Sequence, residues 1–314
     1  MAGERKFAAG AAFVALCVIW SSTWLAIKWG LRDLPPISFA AIRFVIAIVA
    51  LLAVSIGRVR MLPRNRSDWT LLAFTGVMMF AVNYGLLFWG ELHVSSGLAA
   101  VLQAIIPVAG MIFAHWLLPS EPMRWQRVTG ALLAVGGVSL ICGRLLDHGG
   151  MITFWAGLGI VVGGAGAAFS NVLLKRRALD LAPAMIAAWQ MIFGTVPLLS
   201  LGLIHDGNPI RFHWTMLSFV CLLYLAIIGS ALAFLLLYWL LPRMPVNNLQ
   251  TISLITPPGA VAIGWFAGGE TFSLWSLVGC GFVLSGVWMI FRRLDPPRQS
   301  VATRECLKTA LPRG

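Results

Sequence analysis

The chain has 314 residues, of which 59% are hydrophobic and only 11% charged, with a formal net charge of +12. A water-soluble protein of this length covers itself with far more charge. Uncharged runs such as Trp69 to Gly90, Gly149 to Leu174 and Met244 to Gly269 each cross roughly 30 Å of hydrocarbon at about 1.5 Å per residue. A soluble globular protein is excluded, and an all-α integral membrane protein is expected.

Ten transmembrane helices are predicted, at about 7–29, 36–57, 68–90, 96–118, 126–145, 151–174, 182–204, 213–241, 245–268 and 273–291. The first contains IWSSTWLAIKWG, in which Trp20, Trp24 and Lys28 follow one another at i, i+4 and i+8 and share a helix face. Trp20 and Trp24 are candidate substrate contacts. Lys28 stands at the outer end, either as an interfacial anchor or as a gating residue that pairs with Asp33 or Glu91. The second span opens on PPISFAAIR and carries Arg43 inside it. The third offers Asn83 and Tyr84 as substrate candidates and closes on Glu91, a gating candidate. Amides at this depth need a partner in a neighbouring helix, a substrate or water.

The fourth span holds Gln103 and, near its centre, Pro107. Proline removes an i−4 hydrogen bond and frees the carbonyl of Gln103. His115, at the inner end of this span, is an interfacial histidine or, alternatively, a proton-linked one. The sixth span places Asn171 at depth and ends in Lys175, Arg176 and Arg177. The ninth carries Ser253 and Thr256 beside Pro257 and Pro258, a second loosened stretch near mid-span. Unbonded backbone at membrane depth is tolerable only where it faces protein or water, so the two proline sites point to a central polar cavity and to bending elements. Residues 292–314 form a basic, Pro/Arg-rich tail expected to be disordered and cytoplasmic.

With both termini inside, 18 of the 23 basic residues fall on the inner face, which is the positive-inside asymmetry and removes any need for a nucleic-acid partner. The five cysteines show no ligand spacing, and neither metal nor cofactor is expected. No carboxylate lies at the centre of a span, which favours a facilitator or a weakly coupled exporter; Glu91 with His93 is the remaining titrating pair.

The two halves of the chain match each other. Lys28, Asp33, Pro36 and Arg43 correspond at an offset of 147 to Lys175, Asp180, Pro183 and Gln190. Residues 1–146 and 147–291 are thus expected to form two five-helix repeats. An odd number of spans per repeat makes the second repeat inverted, with a central cavity between them, the arrangement that underlies alternating access.

IWSSTWLAIK, PPISFAAIRF and SSGLAAVLQAIIPV, with the glutamates of LLPSE (Glu121) and AGGE (Glu270), resemble the EamA-type drug/metabolite transporters over residues 7–291. The chain reads Pro119, Ser120, Glu121 where that family often has Leu-Gly-Glu, a departure expected to alter a loop. The resemblance implies a carrier in the bacterial inner membrane, with both termini cytoplasmic, that moves amino acids and related metabolites outward. Its cavity is implied to be lined by the first, third, fourth, sixth, eighth and ninth spans. Tryptophan-rich walls are similar to those of the branch handling neutral and aromatic amino acids, so a zwitterionic amino acid is the expected partner of a monomer embedded in lipid. Two other functions stay open: export of polyamines or cationic drugs, and a polytopic enzyme acting on a lipid-linked substrate.

Overall fold

The computed structural model describes residues 2–56, 62–117, 125–177, 179–240, 243, 252–270 and 273–291. These residues form helices joined by short connections. Helix α1 is Ala2–Gly30, α2 Pro36–Ser55, α3 Arg66–Glu91 and α4 Ser96–Leu117. A long helical stretch, Trp125–Arg177, departs from helical geometry at Gly150 (φ 74°) and divides there into α5 (residues 125–149) and α6 (Gly150–Arg177). Then follow α7 (Pro183–His205), α8 (Met216–Leu240), α9 (Ile252–Phe266) and α10 (Leu274–Phe291).

The expectation of ten transmembrane helices is corrected. Among the described residues seven helices are long and apolar enough to cross a membrane: α1 (over Phe7–Gly30), α2, α3, α4, α6, α7 and α8. Among the described residues the fifth predicted span contributes a shorter apolar helix over Val128–Leu140 and the tenth one over Leu277–Gly286. The ninth, α9, has 15 residues. Fifteen residues rise roughly 22 Å, well short of roughly 30 Å of hydrocarbon. The fold is an all-α, multi-span helical bundle. Glu121 and the tail 292–314 lie outside the described residues.

Local chemistry explains where the helices begin. Both α2 and α7 start on a proline in the first turn, where a missing N–H costs nothing. Thr215 and Ser218 form a reciprocal capping box at the start of α8. Ser95 caps α4 by accepting from the Leu98 N–H at 3.4 Å.

Three of the helices are irregular at depth. Helix α4 is interrupted at Ala104, whose ψ of −2° separates Ser96–Gln103 from Ile105–Leu117, three residues before Pro107. Helix α9 runs unbroken through Pro257 and Pro258, so the two proline sites differ. Helices α3 and α8 each contain a π-helical segment, Val77–Asn83 and Tyr224–Leu232. The two segments begin 147 residues apart, the same offset that relates the halves of the sequence.

The packing obeys that relation as well. Helix α2 packs on α7 and α5 on α10, while α3 meets α7 as α8 meets α2, and α1 meets α9 as α6 meets α4. Exchanging α1–α5 for α6–α10 leaves this set of pairings unchanged. The centre is closed by fully buried Phe39, Phe44, Phe80, Phe88 and Phe234. Large apolar side chains such as Trp116, Trp155 and Phe266 project outward, as a lipid-facing surface requires.

Candidate substrate cavity

A cavity of about 240 Å³ lies among α1, α2, α3, α4, α6, α8 and α9. Its volume falls below the roughly 300–1,000 Å³ of pockets for drug-sized ligands, which suits a small metabolite. Of the residues singled out in the sequence, Trp20, Trp24, Asn83, Tyr84, Gln103, Asn171, Thr256, Pro107 and Pro257 line it. The Ser253 side chain lies outside the described residues. Pro258 and His115 are exposed and stand apart from the cavity lining.

The polar lining is ordered by short hydrogen bonds. Gln103 Nε2, at the end of the first part of α4, donates to Asn83 Oδ1 at 2.7 Å, at the last residue of the π segment in α3. Gly163 of α6 lets this corner close: a Cβ there would stand 3.0 Å from Asn83 Cα. The Thr256 hydroxyl is spent on its own helix, donating to the carbonyl of Ile252 at 2.7 Å. Tyr238 donates to Gln190 Oε1 at 2.6 Å, and Gln190 Nε2 donates to Thr75 Oγ1 at 2.9 Å, linking α8, α7 and α3 behind the wall.

Arg43 is the cavity residue with the most unusual surroundings. It is 1% exposed, the largest fully buried side chain. Its guanidinium lies 4.9 Å from the Tyr84 ring centroid, 5.1 Å from that of Phe44 and 5.6 Å from that of Phe88. Rings at this distance stabilise a cation through their quadrupoles. Nε donates to Ser230 Oγ at 2.7 Å, and Nη2 points to the Gly229 carbonyl at 3.4 Å. Both acceptors belong to the π segment of α8, where Ser230 Oγ in turn donates to the Leu225 carbonyl five residues back. Nη1 has no hydrogen-bond partner among the described residues. Sequence reasoning noted Arg43 as a charge inside span two without giving it a role. An ionisable residue at membrane depth is itself the signal of a working site. Tyr238 and Lys175 also line the cavity, and no carboxylate does among the described lining residues. The lining thus includes the basic side chains Arg43 and Lys175.

Lys28 and Glu91 sit apart from the cavity lining, in the connection at the end of α1 and α3. Lys28 Nζ donates to the main-chain carbonyls of Glu91 at 2.5 Å and Val94 at 2.8 Å. The Glu91 side chain is fully buried, and neither carboxylate oxygen has a hydrogen-bond partner among the described residues. Glu270, beyond α9, accepts from the backbone N–H groups of Ser96 at 2.8 Å and Gly97 at 3.3 Å, placing an anion on the N-terminus of α4.

A multi-span helical bundle with a ring-walled cavity lined by a few polar groups fits a small-molecule carrier. The chain belongs to the EamA-like transporter family, which matches residues 8–143 and again residues 154–292. It is a transporter and not an enzyme. The transporter YoaV of Bacillus subtilis is 22% identical, over 88% of this chain and 94% of its own length. The inner membrane transporter YedA of Escherichia coli K12 is 28% identical, over 89% of each chain. A probable terminal-alkyne amino-acid exporter of Streptantibioticus cattleyicolor is 28% identical, over 93% of this chain and 96% of its own. One solved crystal structure superposes with a TM-score of 0.66 at 19% identity, over 91% of this chain and 99% of that one, and supports the fold alone.

Proposed function

We propose that this chain is an inner-membrane exporter of neutral and aromatic amino acids or similar small metabolites, and that the cavity is its substrate site. The observation that carries the reading is the cavity itself: about 240 Å³, walled by Trp20, Trp24, Tyr84 and Phe234, with the Asn83–Gln103 amide pair in its lining. Rings hold an apolar or aromatic side chain, while amides and indole N–H groups address the charged end. A relative named for amino-acid export, similar along nearly its whole length, supports the substrate class. A relative named as an inner membrane transporter supports the location, and the basic-residue distribution supports cytoplasmic termini. The two family-matched segments, residues 8–143 and 154–292, act as the two repeats that rock about the cavity and expose it to each side in turn. The break at Ala104 and the prolines Pro107 and Pro257 are the points at which the lining bends.

Counterflow in proteoliposomes tests this. Vesicles preloaded with phenylalanine, leucine or alanine should accumulate the labelled counterpart when the purified chain is present. Absence of counterflow for every neutral amino acid overturns the reading. The same vesicles under a proton gradient report coupling.

A further inference from the structure

The cavity distributes its unsatisfied hydrogen-bonding groups unevenly. Among the described residues, three buried side-chain polar atoms without a partner belong to the lining: Trp20 Nε1, Trp24 Nε1 and Arg43 Nη1. All three are donors. The buried acceptors without a partner, such as the Glu91 carboxylate oxygens, lie away from the lining. A buried donor left unpaired costs more than the bond itself contributes, so a ligand that enters this site is favoured by the acceptors it brings.

We infer that Arg43, with the indole N–H groups of Trp20 and Trp24, is the receiver for a substrate carboxylate, and that the cavity selects organic acids and amino acids against amines of the same shape. The inference rests on the reading of this cavity as the substrate site. Nε is held by Ser230 and Nη2 faces the Gly229 carbonyl, so the fork is fixed in orientation and Nη1 is the guanidinium nitrogen without a hydrogen-bond partner among the described residues. A guanidinium so fixed loses little entropy on meeting a carboxylate. Three rings disperse its charge when no anion is near. The α-ammonium of a zwitterion then falls to neutral acceptors, of which the Gln103 side-chain oxygen is one, because its amide nitrogen is already committed to Asn83. Carboxylate binding is thus strong and ammonium binding weak. That disfavours polyamines and cationic drugs, which meet two lining cations, Arg43 and Lys175, and no lining carboxylate among the described residues.

The test uses three ligands that share one ring and differ in charge: phenylalanine, 3-phenylpropionate without the ammonium, and 2-phenylethylamine without the carboxylate. Calorimetric titration of the full chain in lipid nanodiscs should show both acids binding about tenfold or more tighter than the amine. Arg43→Gln should weaken both acids by a similar factor and leave the amine unchanged, with Arg43→Lys between. Equal binding of acids and amine to the unaltered chain overturns the assignment, as does an Arg43→Gln loss that is uniform across all three. Where the Arg43 variants fail to fold, Ser230→Ala, which releases Nε, decides: it should weaken the acids alone by a smaller factor, and a uniform or absent effect overturns the assignment. Counterflow of amino acids without a preference for acids overturns this inference and spares the exporter reading. Binding of 3-phenylpropionate without amino-acid counterflow does the reverse. No binding of any of the three overturns both.

Discussion

Among the described residues the charged side chains of Arg43 and Glu91 lie fully buried, and their surroundings differ in kind. Arg43 is wrapped by three rings and bonded to Ser230, whereas Glu91 has neither oxygen satisfied among the described residues. An ionised carboxylate without partners is far more costly to bury than a neutral one. The cation nearest Glu91, Lys28, spends its donors on main-chain carbonyls. It follows that Glu91→Gln, which keeps shape and removes the charge option, should leave the melting temperature in nanodiscs unchanged or raised. Lys28→Ala removes two charge-assisted bonds of about 1.5–3 kcal/mol each and should lower it. If Glu91→Gln destabilises as much as Lys28→Ala, the carboxylate is ionised and paired. This difference was invisible in the sequence, where both residues read as rim positions at the outer ends of spans. Arg43 was visible as a charge inside a span, but its surroundings depend on rings of α3, Tyr84 and Phe88, that its own helix does not supply.

At the level of helices, the offset of 147 residues was legible, because charged and proline residues mark it at the starts of α2 and α7. The paired π segments that share the same offset were not. They contain no proline, and an extra residue in a helical turn leaves no compositional trace. The proline sites were legible as positions and not as shapes, since Pro107 follows a real interruption while Pro257 and Pro258 lie inside a continuous helix. The π segment of α3 is held by close contact with α7. A Cβ on Gly194 would stand 2.5 Å from both the Gly76 carbonyl oxygen and Phe80 Cβ, neither of which is the movable end of a side chain. Gly194→Ala should thus cost about 1–3 kcal/mol through overpacking. Gly136→Ala, which meets nothing within 4 Å, should be neutral or gain up to about 1 kcal/mol in helix propensity. Thermal melts of the two variants side by side check this. Equal effects would show that α7 can move away from α3 at little cost.

For the whole molecule, the count of spans was where the sequence misled most. Hydropathy measures apolar length along the chain, whereas seven helices qualify as spans among the described residues, and the described part of the ninth predicted span is a helix over Ile252–Phe266. What hydropathy also omits is how the helix ends are tied together. The face at which α1 ends is drawn closed by side-chain bonds between distant segments. Lys28 reaches the connection after α3, and Glu270 holds the N-terminus of α4. Thr215 Oγ1 donates to Asp33 Oδ2 at 2.5 Å, and Asp206 Oδ2 accepts from the Ser38 N–H at 2.8 Å. The cavity lining extends away from this face, toward Ala114 near the end of α4 and Lys175 near the end of α6. The proposed rocking between two access states requires ties of this kind to break, and Glu270 joins segments belonging to the two family-matched parts of the chain. A carboxylate on a helix N-terminus is a charge-assisted bond pair, worth roughly 1.5–3 kcal/mol for each bond before the competing pull of water. Glu270→Ala should shift the population toward the state open at that face. A cysteine placed at Thr23, on the cavity wall, should then react several-fold faster with a membrane-impermeant thiol reagent supplied from that side. Unchanged labelling, with the protein still folded by melting temperature, would mean that the Glu270 tie does not hold the face closed and that the remaining bonds suffice.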